Sequence, residues 1–163
     1  MTGMAMPLAL ATGAVAAGVS SGMMLAFSAG TMRGLSRLPE AEAVRAMQAI
    51  NVSVINPLFL GVFIGTGPLL VALSGIDLYG GSPNRYLLAA TLVYVVGVVA
   101  VTILGNVPLN DRLAAVDTTT MGPGTWDGYA GAWLRYNHTR ALAGAVASGL
   151  LTLALLAPSP GSP

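Results

Sequence analysis

Four stretches of this chain carry no Asp, Glu, Lys or Arg: Met1 to Met32, Ala46 to Ile76, Tyr86 to Asn110, and Ala141 to the end. Each meets the requirement of roughly 20 consecutive apolar residues for a helix that crosses a bilayer. In hydrocarbon every backbone polar group must be satisfied within its own segment, which leaves helices as the economical solution for separate apolar runs of this length. The chain therefore reads as an all-α integral membrane four-helix bundle. The spacing predicts helices over about 6–32, 50–76, 86–109 and 137–156, within one domain spanning 1–157, and a disordered tail over 158–163. The first run lacks a basic region in front and is long and glycine-interrupted, so it reads as a retained helix rather than a cleaved signal peptide.

Composition narrows the function classes. Only 8% of the 163 residues are charged and the net charge is +1, which gives no reason to expect a nucleic-acid partner. Cysteine is absent, excluding disulfides, thiolate metal sites and cysteine nucleophiles, and a single histidine excludes bis-histidine haem within one chain. No metal site is expected. The methionines, six of them within the first 32 residues, suit apolar packing better than copper ligation.

Between the first two runs, Pro39 precedes Glu40, Glu42 and Arg45, a charge order that suits the N-terminus of a short surface helix. The arginines fix an expected orientation. Arg33, Arg37, Arg45, Arg112, Arg135 and Arg140 fall on loops of one side, against Arg85 alone on the other. By the positive-inside rule, loops 33–49 and 111–136 are expected in the cytoplasm, with both termini on the opposite face. GxxxG patterns at Gly18/Gly22 and Gly61/Gly65, together with Gly144, Ser148 and Gly149, predict close helix packing. The same faces offer a route to a homo-oligomer.

The polar residues gather at one level. Gln48 and Asn51 lie three apart at the start of the second run, and Asn106 and Asn110 lie at the end of the third. Trp133, Asn137 and Arg140 follow at i, i+4 and i+7. An amide in hydrocarbon costs several kcal/mol unless it is hydrogen-bonded, so these groups are expected to face one another, water or a ligand. Asn56, Pro57 and Pro68 predict kinks in the second helix. Pro108 is expected to end the third, so that Asn106 and Asn110 both point inward. None of the four predicted helix centres holds an ionisable group, which argues against a coupled transporter.

The segments "MQAINVSVINPLF", "GNVPLNDRLAAVD" and "WLRYNHTR" closely resemble the anthrone oxygenase-like family of small four-helix membrane proteins, over nearly the whole chain. The specific parts are the N-x-P-x-N of Asn106, Pro108 and Asn110, and the cluster of Trp133, Asn137, His138 and Arg140. Tyr136 departs from the family, where tryptophan is common. The resemblance implies O₂-dependent oxidation of an anthrone-like polyketide or other phenolic aromatic to a quinone, without a cofactor. Its partners would be a small hydrophobic aromatic ligand and membrane lipid. On that reading His138, or alternatively Asp111, takes a proton. Arg140, Asn106, Asn110 and Asn137 hold the oxyanion and hydroxyls, Trp133 stacks on the ring, and Gln48 and Asn51 complete the substrate-binding set. A noncatalytic protein that binds a lipid, quinone or polyketide, or assists another enzyme, would use the same residues.

Overall fold

The computed structural model describes residues 4–81 and 83–157, and within them every regular element is a helix. Six helices follow in order: α1 (Ala5–Leu35), α2 (Glu40–Ser53), α3 (Pro57–Phe63), α4 (Thr66–Tyr79), α5 (Arg85–Ala114) and α6 (Thr125–Leu156). Four segments are long and apolar enough to cross a membrane: α1, the pair α3 and α4 (Pro57–Tyr79), α5, and α6. The chain is thus an integral membrane four-helix bundle, with α2 as the short additional helix between the first two spans. The expected tail over 158–163 lies outside the described residues.

Local chemistry explains the breaks. Asn56 is extended and its side chain accepts from the Phe59 amide at 3.0 Å, while Pro57 occupies the first helical position. This cap separates α2 from α3, so the predicted second helix is three pieces rather than one kinked rod. Pro68 lies in the first turn of α4, where its missing N–H costs no hydrogen bond. Asn84 caps α5 by accepting from the amides of Tyr86 and Leu87 at 3.0 and 3.3 Å, and its own amide reaches the Ala154 carbonyl at 3.0 Å. The α2 N-terminus has Glu40 and Glu42 in its first turn, and Glu40 also accepts from the Gly124 amide at 3.0 Å. Gly124 has φ of 82°, a left-handed conformation that glycine adopts without steric cost, and it turns the chain into α6.

Two long helices differ from their predicted extents. α6 begins at Thr125, twelve residues before Asn137, and α5 runs on to Ala114, so together they make most of the predicted loop 111–136 helical. Pro108 does not end α5. The helix winds through two π-helical segments, Val95–Ala100 and Thr102–Asn106, and resumes α-helical winding over Val107–Ala114. Pro108 therefore stands in the first turn of a renewed α-helical stretch, where the absent N–H is tolerated. Beyond it, Asp117 accepts from the Thr119 amide at 2.9 Å and its hydroxyl at 2.7 Å. The Thr119 amide bond holds the exposed Asp117 carboxyl below its ordinary pKa.

The bundle has two apolar clusters. The larger joins α1, α3, α4, α5 and α6 around Tyr94, Leu70, Leu87, Ala17, Ala147 and Leu151. The smaller packs α2 against the ends of α1, α5 and α6 through Val44, Met47, Met32, Leu113 and Trp126. Small residues allow the closest approaches: a Cβ built on Gly97 would meet that of Ala143 at 2.5 Å, and one on Gly144 would meet Ser21 at 3.1 Å. Gly18 abuts Ser148, so part of the glycine pattern serves packing within the chain. Gly22, Gly61 and Gly149 meet nothing.

Candidate functional site

Where α2 gives way to α3, the bundle opens into a cavity of about 270 Å³. Its walls are mostly apolar, from Met24 and Phe27 on α1, Ile50 and Val54 on α2, and Phe59 and Phe63 on α3. The polar members are few: Asn51, Thr102, Asn106, Asn110 and Arg140, with Trp133 beside them. An apolar hollow with a handful of convergent polar groups is the usual form of a small-molecule site.

Arg140 dominates its chemistry. It is 5% exposed, and both side-chain partners are neutral: the Asn137 carbonyl oxygen at 2.6 Å and the Thr102 hydroxyl at 3.3 Å. Its guanidinium carbon lies 5.5 Å from the Trp133 ring centroid and 6.0 Å from that of Phe63, so aromatic faces supply part of the stabilisation that an anion would otherwise give. Its Nε donates to nothing. Arg140 is the sixteenth of the 32 residues of α6, and its partner Thr102 lies nine residues, about two and a half helical turns, before Asp111 on α5. The expectation that no helix centre carries an ionisable group is thereby corrected. The cause is the longer α6, which moves Arg140 from a helix entrance to mid-helix. The argument against a transporter drawn from empty helix centres falls with it.

Asn137 is fully buried and does not line the cavity. Its amide donates to the Met24 carbonyl at 2.6 Å and the Ser28 hydroxyl at 2.7 Å, leaving its oxygen for Arg140. It positions the guanidinium and pins α6 to α1. Asn110 lines the cavity, but its oxygen already accepts from the Tyr129 hydroxyl at 2.9 Å and the Trp133 Nε1 at 3.0 Å. It thus fixes the indole that forms part of the wall. Asn106 is 1% exposed and donates to the Trp133 carbonyl at 3.3 Å, while its oxygen has no partner. Asn51 presents an Nδ2 group that is likewise unpartnered.

Three buried side-chain atoms among the described residues lack a hydrogen bond, on Asn51, Asn106 and Arg140, and all three residues line this one cavity. Leaving such a group unsatisfied costs about 1–3 kcal/mol, more when it is charged. Two are donors and one is an acceptor, a set complementary to a ligand carrying both kinds of group.

The remaining sequence candidates stand elsewhere. Gln48 donates to the carbonyls of Leu113 and Val116 at 2.8 and 3.0 Å, fastening α2 to the end of α5 rather than facing the cavity. His138 is exposed, because it follows Asn137 by one residue and so lies about 100° around the helix. Asp111 is exposed beyond the cavity-lining stretch of α5. Neither lines the cavity, so the pairing of these two with the asparagines in one site is not what the fold brings together. Thr102 and Phe63, which sequence reasoning passed over, do line it. A threonine or phenylalanine in an apolar run carries no signal that distinguishes it from packing. Among the described residues no group of three or more His, Cys, Asp or Glu could hold a metal ion.

Comparison with curated proteins and with solved structures gives no match. Comparison with protein-family models matches the one described as anthrone oxygenase over residues 46–150, from α2 to well into α6 and including every polar cavity residue. With that match covering more than half of its length, the chain belongs to the anthrone oxygenase family.

Proposed function

We propose that the cavity binds a planar phenolic aromatic as its oxyanion, beneath Trp133 and against Arg140, and promotes its oxidation by O₂ to a quinone. The observation that carries this reading is the buried Arg140 guanidinium, which has neutral partners and a free Nε in an apolar cavity. A cation so placed stabilises a ligand anion strongly, since little water screens it.

For an anthrone, the reaction is R₂CH₂ + O₂ → R₂C=O + H₂O. Loss of a methylene proton gives an enolate whose charge rests on the ring oxygen, the atom that Arg140 and Asn51 would hold. The electron-rich carbon then forms a bond to O₂ and, with a proton, a hydroperoxide. Loss of the second C–H proton with cleavage of the O–O bond forms the carbonyl and releases water. The residues lining the cavity include no carboxylate and no histidine, so the protons go to water at its mouth. The protein's share is to make the substrate more acidic by stabilising its anion.

That same lack of a lining base favours a second reading, noncatalytic binding of a phenol, quinol or quinone. Oxygen uptake by purified protein with a panel of anthrones separates the two: stoichiometric consumption above the uncatalysed rate supports oxidation, and tight binding without consumption supports the carrier. The orientation proposed from the arginines, with Thr120 cytoplasmic and Tyr79 outside, is tested by single cysteines at these exposed positions and an impermeant thiol reagent on intact cells. Only the Tyr79→Cys protein should react.

A further inference from the structure

The polar inventory of the cavity specifies more than an anion. The Asn106 amide orientation is fixed, because the Trp133 backbone carbonyl can only accept, so Nδ2 must face it and Oδ1 must face away. That oxygen is buried and unpartnered in a residue lining the cavity. The nearby hydroxyl and indole donors are committed elsewhere: Thr102 donates to the Val98 carbonyl at 2.6 Å, and Tyr129 and Trp133 both donate to Asn110. The two open donors of the cavity, Asn51 Nδ2 and Arg140 Nε, do not bond this oxygen either, so in this arrangement no protein donor satisfies Asn106.

We infer that Asn106 is a specificity-determining residue which accepts a hydrogen bond from a ligand hydroxyl, so that the site selects aromatics bearing two oxygens, one anionic and one protonated. This rests on the proposed phenol-binding function and adds to it the requirement for a second, donating group. A simple phenol, or a diol with one oxygen methylated, satisfies Arg140 or Asn106 but not both. A site whose buried polar group is left unpaired rejects the analogue that lacks the matching partner.

The experiment uses the purified full chain and a panel of naphthalenediols with different hydroxyl spacings, each paired with its monomethyl ether, and follows binding by titration calorimetry. For at least one diol, methylation of one hydroxyl should weaken binding to the parent about tenfold or more. In Asn106→Leu, of similar size but with no acceptor, the same diol-to-ether ratio should collapse to about threefold or less, chiefly through weaker diol binding. A parent that binds diols and ethers alike overturns the inference while leaving phenol binding intact. A variant that keeps the parent's ratio overturns it as well. A parent that binds none of the panel overturns the proposed function together with the inference. Asn106→Ala serves if the leucine variant does not accumulate in membranes. If neither variant accumulates, the parent's ratio alone decides whether an acceptor in the cavity reads the second hydroxyl.

Discussion

The half of the bundle around Tyr94 and the half around Arg140 both bury polar groups, but they close them differently. Near Tyr94 each polar group finds protein: the tyrosine hydroxyl donates to the Phe63 carbonyl at 2.9 Å, Ser74 and Thr91 share a 2.7 Å bond, and Asn84 reaches Ala154. Glycines draw the backbones together there, and the largest fully buried side chain fills what remains. Around Arg140 the same currency of amides and hydroxyls leaves two donors and an acceptor open to one cavity. Polarity within an apolar bundle is therefore no guide to a ligand site by itself. What separates the two halves is whether the hydrogen bonds end inside the protein.

The largest effect that should break this contrast is Tyr94→Ala. Truncating a fully buried aromatic removes both packing and the link to Phe63, and should cost about 3–5 kcal/mol. Thermal unfolding of the purified protein measures it. Whatever protein remains folded should keep the ligand preference of the parent.

Arg140 should behave in the opposite way. Arg140→Lys preserves the charge but not the planar fork, and should weaken ligand binding about tenfold, or roughly 1.4 kcal/mol. Arg140→Met should abolish phenolate binding yet leave the melting temperature equal or higher, because a buried charge without an anionic partner is removed. A strongly destabilised Arg140→Met would instead make this residue structural, and the two halves alike. Titration calorimetry together with thermal unfolding checks both variants.

Asn110→Ala sharpens the comparison at smaller scale. It deprives the Tyr129 hydroxyl and Trp133 indole of a shared acceptor, so the wall of the cavity loosens. Affinity should fall by about three- to tenfold, and in a Trp126→Phe background the Trp133 emission maximum should shift; an unchanged spectrum there would show that the indole is held by other contacts. His138→Ala should be the mildest, with binding and O₂ uptake within about twofold of the parent, since the side chain faces out of the bundle. A large loss of turnover at constant affinity would restore this histidine to the reaction as a proton carrier.

Much of this arrangement is legible in the residues. Uncharged runs reveal the four spans because bilayer thickness imposes a length on them. Asn51, Asn106, Asn110, Trp133 and Arg140 stand out as polar or amphipathic groups bordering apolar runs, and all five line the cavity. Gln48 and Asn137 have the same sequence signature but spend their hydrogen bonds on other groups of the protein, a difference that depends on which helix lies opposite. The extents of α5 and α6 were hidden for another reason. Asp127, Arg135 and His138 fit a helix that continues past the apolar span as well as they fit a loop. Pro108 is a breaker in an uninterrupted α-helix and an ordinary first-turn residue after a π-helical one.

Those π-helical segments of α5 also act as a counting device. Each turn of this kind accommodates a residue more than the α-helical register would, so every side chain beyond it is rotated by about 100° relative to an unbroken helix. Val95–Ala100 and Thr102–Asn106 lie directly before Asn110 and include Asn106 itself. The facing of both asparagines is thus set by the number of aliphatic residues ahead of them as much as by their own identity. Were one of these turns to rewind as α-helix with every residue kept, composition and every cavity residue would be unchanged, and the acceptor of Asn106 would still swing off the ligand. In this helix the winding is itself a determinant of chemistry.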